Sequence, residues 1–294
     1  MIIVRLLGGL GNQMFQYALG RTLALKNSDE LNLDIEGYKS QARTNEHSIR
    51  RFELDHFNIQ AEVATVDEIN RLKHPFGRAS SVARKIRSRF AVPTVRFDAA
   101  VLRRTGNLYL EGYWQSEKYF KQFEDAIRAD FKAKEEPSTP ARHIMAEIKN
   151  AKDSRAIPVS LHVRRGDYAY SPESIRDFGM PPDDYYNSAV RFISERLNTP
   201  KLTLFVFSDD IVWVESRLRF SFPVTYVSRA GMDDWEEILL MSSCSHHIIA
   251  NSTFSWWGAW LNNDSTKIVV APKHWAHKNP WHFKDIIPAD WIRI

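Results

Sequence analysis

The 294-residue chain has room for two domains of about 150 residues each, and it can bury a large core without disulfides or a structural metal. Its hydrophobic content of 44% and charged content of 26% exclude a globally disordered protein. Lys and Arg number 40 against 36 Asp and Glu, and the resulting net charge of +4 is too small to indicate nucleic-acid binding.

Compartment is indicated by the apolar runs and by the cysteine content. The apolar run at residues 2–4 is too short for a secretory signal, and no stretch reaches about 18 apolar residues. The single cysteine, Cys244, cannot form an internal disulfide and is typical of a reducing compartment. We therefore expect a cytoplasmic protein, with at most peripheral contact to the inner face of a membrane.

The first segment predicts a strand, a glycine loop and a helix. A β-branched run at residues 2–7 ends at the glycine cluster of residues 8–11. Apolar residues then recur at helical spacing behind Asn12, which is a candidate helix cap. A second strand is expected at residues 31–35, so the chain opens with a β–α–β unit.

The glycine loop carries part of a dinucleotide-binding pattern. Gly9 and Gly11 match it, but Met14 stands at the third glycine position. Asp34 lies at about the right distance for a ribose contact, so a dinucleotide site stays open. Backbone amides at this helix start would equally suit hydroxyl groups or a phosphate.

The middle of the chain is rich in bases. Residues 69–97 contain no acid, and either a solvated basic face or contact with an anionic membrane surface or acidic glycolipid fits this pattern. A strand at 108–111, a helix at 117–132 and a linker at 134–140 are expected next. The basic residues are Arg71, Lys73, Arg78, Arg84, Lys85, Arg87, Arg89 and Arg96.

After the linker, apolar strands alternate with amphipathic helices. This alternation predicts a parallel sheet covered on both faces. The strands are expected at 158–163, 202–207, 224–227, 247–250 and 267–271, and the helices at 183–197, 211–219, 233–243 and 253–261. Because ligands bind at the carboxyl ends of such strands, the polar clusters there are candidate sites. They are residues 8–13, 162–167, 208–210 and 251–253.

Two of these clusters suit an anion. Alternation places His162 and Arg164 on one face, and a guanidinium matches phosphate geometry. Arg165 could pair with Asp167 to hold the turn, and purely structural ion pairs remain an alternative. Residues 251–253 open a helix whose amides favour phosphate, and the paired tryptophans that follow predict burial of at least one.

Other residues leave more than one interpretation open. Asp209 could accept hydrogen bonds from a base or ribose, or one of the two acids there could cap the next helix. The histidines lack an established metal-ligand spacing, and no Asp-x-Asp occurs, so we expect no metal. Two phosphate-binding strand ends with Arg and helix amides could take its place.

Three segments resemble the hallmark segments of family 11 glycosyltransferases, the α-1,2-fucosyltransferases. They are residues 8–18, 162–167 and 251–258, and residues 112–115 are also similar to the family. The resemblance covers residues 1 to about 275. It implies an α/β fold of the GT-B type, with Rossmann-like domains at 1–136 and 141–294 that face each other across a cleft. The last residues would pack back on the first domain.

The resemblance also implies an inverting transfer of L-fucose from GDP-β-L-fucose to the 2-hydroxyl of a terminal galactose, on an oligosaccharide or glycolipid, without metal or cofactor. No nucleic-acid partner is implied, and the oligomeric state stays open. The implied catalytic residues are His162, Arg164 and Asp167. The implied donor contacts are His162, Arg164, Arg165, Asp209, Asn251, Ser252 and Thr253, and the implied acceptor contacts are Gly9, Gly11, Asn12, Gln13 and Trp114.

Several points stay open at this stage. Related fucosyltransferases place an acid for guanine where this chain has Ser228 and Arg229. The general base is not identified, and Asp167 and Glu173 are the carboxylates nearest the motif. A fucosyl transfer of another linkage, an NAD-linked oxidoreductase and a sugar-nucleotide-binding module without turnover are the alternatives.

Overall fold

A computed structural model describes residues 1–41, 50–73, 95–199 and 201–294. The chain divides into two compact units. Unit 1 comprises Met1–Glu135 and His282–Pro288, and unit 2 comprises Glu136–Trp281 and Ala289–Ile294. Most of the basic stretch predicted to face solvent or a membrane, from position 78 to position 89, lies outside the described residues. Within the described ranges, no helix has both the length and the apolar character needed to cross a membrane.

Unit 1 contains a parallel four-stranded sheet in the order β3-β2-β1-β4. Both predicted strands of the opening β–α–β unit are confirmed. The elements of unit 1 are β1 (Ile2–Arg5), α1 (Leu10–Asn27), β2 (Leu31–Asp34), α2 (Glu36–Gln41), β3 (Glu62–Val63), α3 (Val66–Lys73), β4 (Leu108–Leu110) and α4 (Glu124–Asp130).

Two local predictions in unit 1 are wrong. Helix α1 begins directly after Gly9, so Asn12 lies inside its first turn and does not cap it. The single helix expected at 117–132 is broken into two 3₁₀ turns before α4, Glu117–Tyr119 and Lys121–Phe123. Phe120, buried between the two turns, has a φ of −131°, which is outside the helical range and ends the first turn.

Unit 2 contains a parallel six-stranded sheet in the order β10-β9-β8-β5-β6-β7. All five strands and four helices predicted after the linker are present, with ends within three residues. The strands are β5 (Ile157–Val163), β6 (Leu202–Ser208), β7 (Val224–Tyr226), β8 (His246–Ile248), β9 (Val269–Ala271) and β10 (Ile292–Arg293). The helices are α5 (Thr139–Asp153), α6 (Gly166–Tyr170), α7 (Pro172–Asp177), α8 (Asp183–Leu197), α9 (Ile211–Arg217), α10 (Asp234–Ser243) and α11 (Thr253–Leu261).

Helix α11 is almost wholly buried and packs against α10. Trp256 and Trp257 are both fully buried, with ring centroids 5.0 Å apart in an edge-on arrangement. Trp260 stacks on Trp256 at an interplanar angle of 10°. The expected burial of at least one of the paired tryptophans is confirmed, because both belong to the core.

Candidate active site

The strand order of unit 2 creates a topological switch point between β5 and β8. After β5 the chain moves through α8 to β6 on one side, and after β8 it moves through α11 to β9 on the other. Ligands of open α/β sheets bind in the crevice at such a point, at the carboxyl ends of the strands. The predicted clusters 162–167 and 251–253 end the two strands that flank it.

Arg164 leaves the end of β5 and meets the first acid after β6. Its Nη1 lies 2.8 Å from Oδ2 of Asp209, and the other carboxylate oxygen of Asp209 accepts the backbone N–H of Arg165 at 2.8 Å. About a fifth of the Arg164 side chain remains exposed, 21%. Asp209 therefore holds the guanidinium at the strand end while leaving part of it accessible to a ligand.

Arg165 has a different partner from the one predicted. Its Nε donates to Oδ2 of Asp210 at 3.0 Å, and its guanidinium lies 3.9 Å from the centre of the Trp213 ring. Burial opposes ionisation of Asp210, but hydrogen bonds from Arg165, the Trp213 amide and Tyr170 lower its pKa overall. The prediction that Arg165 pairs with Asp167 is corrected, because Arg165 is held between Asp210 and Trp213.

The remaining acids near the ends of β5 and β6 are Asp210, Asp167 and Glu173. The Asp210 carboxylate accepts the Trp213 amide and so caps α9, which is the capping role foreseen for the acids after β6. Asp167 lies in α6, and its side chain is outside the described part of the chain. Glu173, the other candidate base, lies on the exposed surface of α7.

His162 lies inside β5 and is only 3% exposed. Burial, together with the positive charge of Arg164, lowers its pKa to about 3. Its ring centroid is 5.5 Å from that of Phe254, and its Nδ1 has no hydrogen-bond partner among the described residues. At neutral pH the imidazole is therefore uncharged, and the positive charge of this strand end comes from Arg164.

The residues after β8 form the start of α11. Ser252 is the N-cap residue, and its Oγ accepts the backbone N–H of Phe254 at 3.3 Å. The first turn, which begins at Thr253, contains no acid, so the positive end of the helix dipole is not compensated by its own side chains. Asn251 is buried, and its amide donates to the backbone carbonyls of Gly179 and Trp275, both at 3.1 Å.

Glu237 was not predicted from the sequence, but its carboxyl lies close to this site. Burial raises its pKa to about 7; a hydrogen bond with Ser228 lowers the pKa, while the charges of Asp234 and Asp209 raise it. Ser228 also accepts the backbone N–H of Ser208 at 3.0 Å, so this hydroxyl connects the exits of β6 and β7 to the carboxyl. Ser228 stands where related fucosyltransferases place an acid, and the carboxyl of Glu237, from α10, is hydrogen-bonded to it.

The sequence did not single out Glu237, because three other acids, Asp233, Asp234 and Glu236, lie beside it at the start of α10. Asp233 and Glu236 form a capping box, and Glu236 also accepts the Ser138 amide at 2.6 Å. Acids at a helix start are typical of capping, so the pattern alone could not separate Glu237 from its neighbours. Among described residues, no group of three or more His, Cys, Asp and Glu side chains has the geometry of a metal site.

Unit 1 has its own switch point between β1 and β4, where the predicted acceptor residues lie. Gly8 has a φ of +79° and turns the chain into α1. Asn12 Oδ1 accepts from the Gln115 side chain at 2.8 Å. Gln13 donates to the Arg51 carbonyl at 2.6 Å and accepts the Glu53 amide at 3.1 Å. These hydrogen bonds connect the loop after β1 to the loop after β4 and to residues 51–53.

Two further predicted residues of unit 1 have distinctive environments. Trp114 is 4% exposed and has a φ of +43°, an uncommon conformation for a bulky residue. Asp34 accepts the hydroxyl of Tyr109 at 2.5 Å and the Glu36 amide at 3.0 Å. Its carboxylate is thus already engaged on both oxygens, which disfavours the ribose contact of a dinucleotide site.

The sequence of the chain is similar to those of several known proteins. The family described as Glycosyl transferase family 11 matches residues 83–294. The Escherichia coli alpha-1,2-colitosyltransferase is 32% identical over 302 residues, which cover 100% of this chain and 98% of that protein. The E. coli O-antigen biosynthesis glycosyltransferase WbnK is 32% identical over 288 residues, covering 92% and 94%. The Homo sapiens galactoside alpha-(1,2)-fucosyltransferase 1 is 25% identical over 165 residues, covering 54% and 44%.

Among solved structures, a mutant of Arabidopsis thaliana FUT1 in complex with GDP matches with a TM-score of 0.52 at 13% sequence identity. The match covers 91% of this chain and 69% of that one. At this identity the likeness concerns the fold alone. Together with the two parallel sheets, it confirms the predicted α/β fold of the GT-B type.

Proposed function

The chain belongs to glycosyl transferase family 11, and from this premise we propose that it transfers L-fucose from GDP-β-L-fucose to the 2-hydroxyl of a terminal galactose. The observation that carries the proposal is the pairing of Arg164 with Asp209 beside the N-terminus of α11, at the switch point of unit 2. A guanidinium and a helix N-terminus together favour a diphosphate.

In the proposed reaction, the galactose 2-hydroxyl attacks C1 of fucose from the face opposite the diphosphate. The C1–O bond to the β-phosphate breaks, its electron pair leaves with GDP, and the hydroxyl proton passes to a base or to water. The configuration at C1 changes from β to α. Negative charge grows on the β-phosphate, and Arg164 with the amides at Ser252 and Thr253 would stabilise it.

His162 and Asp209 support this arrangement in different ways. The uncharged His162 imidazole can donate or accept one hydrogen bond without adding charge, because its pKa lies far below neutrality. Asp209 fixes the orientation of Arg164 through the ion pair at 2.8 Å. Arg165 is held by Asp210 and Trp213, so we assign it to keeping the end of β5 in place and not to direct contact with the donor.

We propose that Glu237 recognises the guanine base. Guanine presents two adjacent N–H donors, N1 and the 2-amino group, and a carboxylate can accept both. Glu237 lies on the β6–β7 side of the switch point, with its carboxyl hydrogen-bonded to Ser228 and near the charge of Asp209, the partner of Arg164. The sequence left this contact open, because Ser228 and Arg229 stand where related fucosyltransferases place an acid.

Divalent metal is not required in this proposal. Arg164 and the uncompensated N-terminus of α11 supply the positive charge that a metal ion would otherwise bring to the diphosphate. The acceptor is proposed to be a galactose-terminated glycan, placed against unit 1 near Asn12, Gln13 and Trp114. The O-antigen role in the name of one E. coli relative is compatible with a polysaccharide repeat as that glycan.

The test is incubation of the purified protein with GDP-fucose and lactose in the presence of EDTA. The product linkage is determined by NMR. An α-1,2-fucosylated galactose supports donor, acceptor sugar, stereochemistry and metal independence together. Release of GDP without this product retains the donor and rejects this acceptor, and failure to bind GDP contradicts the proposal.

A second candidate donor sugar is colitose, the 3-deoxy analogue of L-fucose. It is favoured by the E. coli alpha-1,2-colitosyltransferase, which aligns over the whole of this chain at 32% identity. The two candidates are separated by offering GDP-fucose and GDP-colitose at equal concentration with one acceptor. The ratio of the two products gives the ratio of kcat/KM, and a ratio above one for fucose supports the first candidate.

A further inference from the structure

Unit 2 contains a cavity of about 400 Å³ at the carboxyl ends of β8, β9 and β10, next to the first turns of α8. Its volume is within the range that small-ligand sites occupy. Its lining is mostly apolar in area but includes the titratable side chains of Asp184, Lys273, His274 and His277. Phe178, Met180, Ser188, Asn251 and Pro272 also line the cavity.

Asn251 supplies an unsatisfied acceptor at this cavity. Its Nδ2 donates to the carbonyls of Gly179 and Trp275, and these bonds fix the orientation of the amide. The opposite atom, Oδ1, is buried and accepts no hydrogen bond from any described residue, although Asn251 is only 2% exposed. A buried acceptor left without a donor costs about 1–3 kcal/mol, so a ligand hydroxyl there would be stabilising.

The position of Asn251 in the chain connects the cavity to the phosphate end of the proposed donor. The next residues, Ser252 and Thr253, begin α11, where the β-phosphate is proposed to bind. In a nucleotide sugar, C1 of the sugar is bonded to an oxygen of that phosphate. A sugar held by a phosphate at Ser252 therefore lies within reach of the side chain of Asn251.

We propose that this cavity receives the 6-deoxyhexose of the donor, with its C6 methyl against Met180, Phe178 and Pro272 and a ring hydroxyl donating to Asn251 Oδ1. The inference rests on the proposed function and adds the part of the protein that selects a deoxy sugar. An apolar surface accepts a methyl group and leaves a 6-hydroxyl without a partner, which disfavours the hydroxylated analogue by up to about 100-fold.

The test is saturation-transfer NMR with GDP-fucose and the full-length protein, without acceptor. The guanine H8 signal reports binding of the nucleotide, and the fucose methyl signal reports contact with the cavity. We expect strong saturation of both in the unchanged protein. Ser188→Trp fills the cavity from α8 and should reduce the methyl signal at least fivefold relative to H8. Asn187→Trp, at the exposed neighbouring position, is the matched control and should change neither signal.

The possible outcomes lead to different conclusions. Loss of H8 saturation in the unchanged protein overturns the donor assignment, and the inference with it. Normal H8 saturation with a methyl signal that is weak, or that Ser188→Trp leaves unchanged, overturns the inference alone and assigns the cavity to water.

A second variant guards against misfolding of the tryptophan substitution. Met180→Gln keeps nearly the same volume but introduces a polar group at a partly exposed position of the cavity. The preference for GDP-fucose over GDP-L-galactose, the 6-hydroxyl analogue, should fall about tenfold in kcat/KM. An unchanged preference in this variant contradicts the proposed site.

Discussion

The guanidinium of Arg164 combines three properties at one strand end: partial exposure, a fixed orientation and a position at the switch point. A group with this placement stabilises charge in a transition state without reorganising. Arg164→Ala should lower kcat by about 100- to 1,000-fold. The measurement is release of GDP in the presence of acceptor, with circular dichroism as the check on folding. Arg191→Ala, on the exposed face of α8, should retain activity, and near-normal turnover of a folded Arg164→Ala variant would remove this residue from the mechanism.

If Glu237 accepts from guanine as proposed, GDP binding should depend on pH. Because its pKa is raised to about 7, the carboxylate that accepts from guanine is lost as pH falls below 7, and GDP affinity should fall by up to about tenfold per pH unit. Glu237→Gln should weaken GDP binding by about 10- to 100-fold and remove this pH dependence. It should also abolish the preference for GDP over inosine diphosphate, which lacks the 2-amino group. Isothermal titration measures all three effects.

Two comparisons complete the test of Glu237. Glu195→Gln, at an exposed position of α8, should leave GDP binding as it is. In the free protein, the folded state keeps the proton of Glu237 up to about pH 7, whereas an unfolded glutamate releases it near its ordinary value of 4.5. The folded state therefore binds more protons between these values, and this carboxyl makes stability fall as pH rises through them. A pH dependence of GDP affinity that persists in Glu237→Gln contradicts the assignment.

At the residue level, the sequence indicated which side chains follow a strand end, but it did not indicate the partners that other segments supply. Arg164 could be selected from alternation and chemistry alone. The partner of Arg165 could not, because Asp210 comes from a strand exit 45 positions further along, whereas Asp167 is a neighbour in sequence. Glu237 was concealed for a related reason, since its role depends on the packing of α10 against Ser228.

At the scale of elements, the packing of α10 on α11 controls two parts of the site, Glu237 and the residues at the start of α11. Gly258 lies at their contact, and a Cβ there would lie 2.7 Å from Cβ of Met241. Gly258→Ala should destabilise the protein by about 1–3 kcal/mol, because the helices must move apart. Urea unfolding measures the loss. Gly37→Ala in α2 is the matched control, since no atom lies within 4 Å of the added Cβ and its helical position favours alanine. A Gly258→Ala variant as stable as this control contradicts the close packing.

Helices and strands were predicted best where the spacing of apolar residues fitted only one kind of secondary structure. The helices at 183–197 and 253–261 have the bounds that the sequence indicated. Helix α5 was missed because its start was interpreted as a linker. Ser138 caps this helix and Pro140 lies in its first turn, so the residues that suggested a linker are its N-terminal signals. Strand β10 spans two residues and has no detectable period.

At the scale of the whole molecule, a late segment completes an early unit. Residues 282–288 belong to unit 1, where Ser116 donates to the Asp285 carbonyl at 2.8 Å and Ile286 is 1% exposed. Ile286→Ala should destabilise unit 1 by about 2–5 kcal/mol, because it removes buried methylenes from a packed core. Hydrogen exchange of the α1 amides measures this effect. Lys284→Ala, at an exposed position of the same segment, should leave the exchange rates unchanged, and equal rates in both variants contradict the inclusion of this segment in the core.

The general two-unit α/β organisation was accessible from the alternation of strands and helices. Packing of the last residues on the first domain was implied by the family resemblance and not by a sequence pattern, because residues 284–288 form no helix or strand and give no periodicity to assign. Ile286 and Ile287 look like any apolar pair in the sequence, and only their burial identifies the unit they belong to.

The ion pair between Arg164 and Asp209 has a consequence for selectivity in a cell rich in free phosphate. An unpaired arginine at a strand end would attract any small anion, whereas here each positive charge after β5 faces a carboxylate. Inorganic phosphate must compete with Asp209 for the guanidinium and has no nucleoside to hold it in place. The proposed donor would bring its diphosphate into the site tethered through the base. The paired charges thus leave this strand end electrically balanced, and we expect this balance to favour the proposed donor over the most abundant small anions.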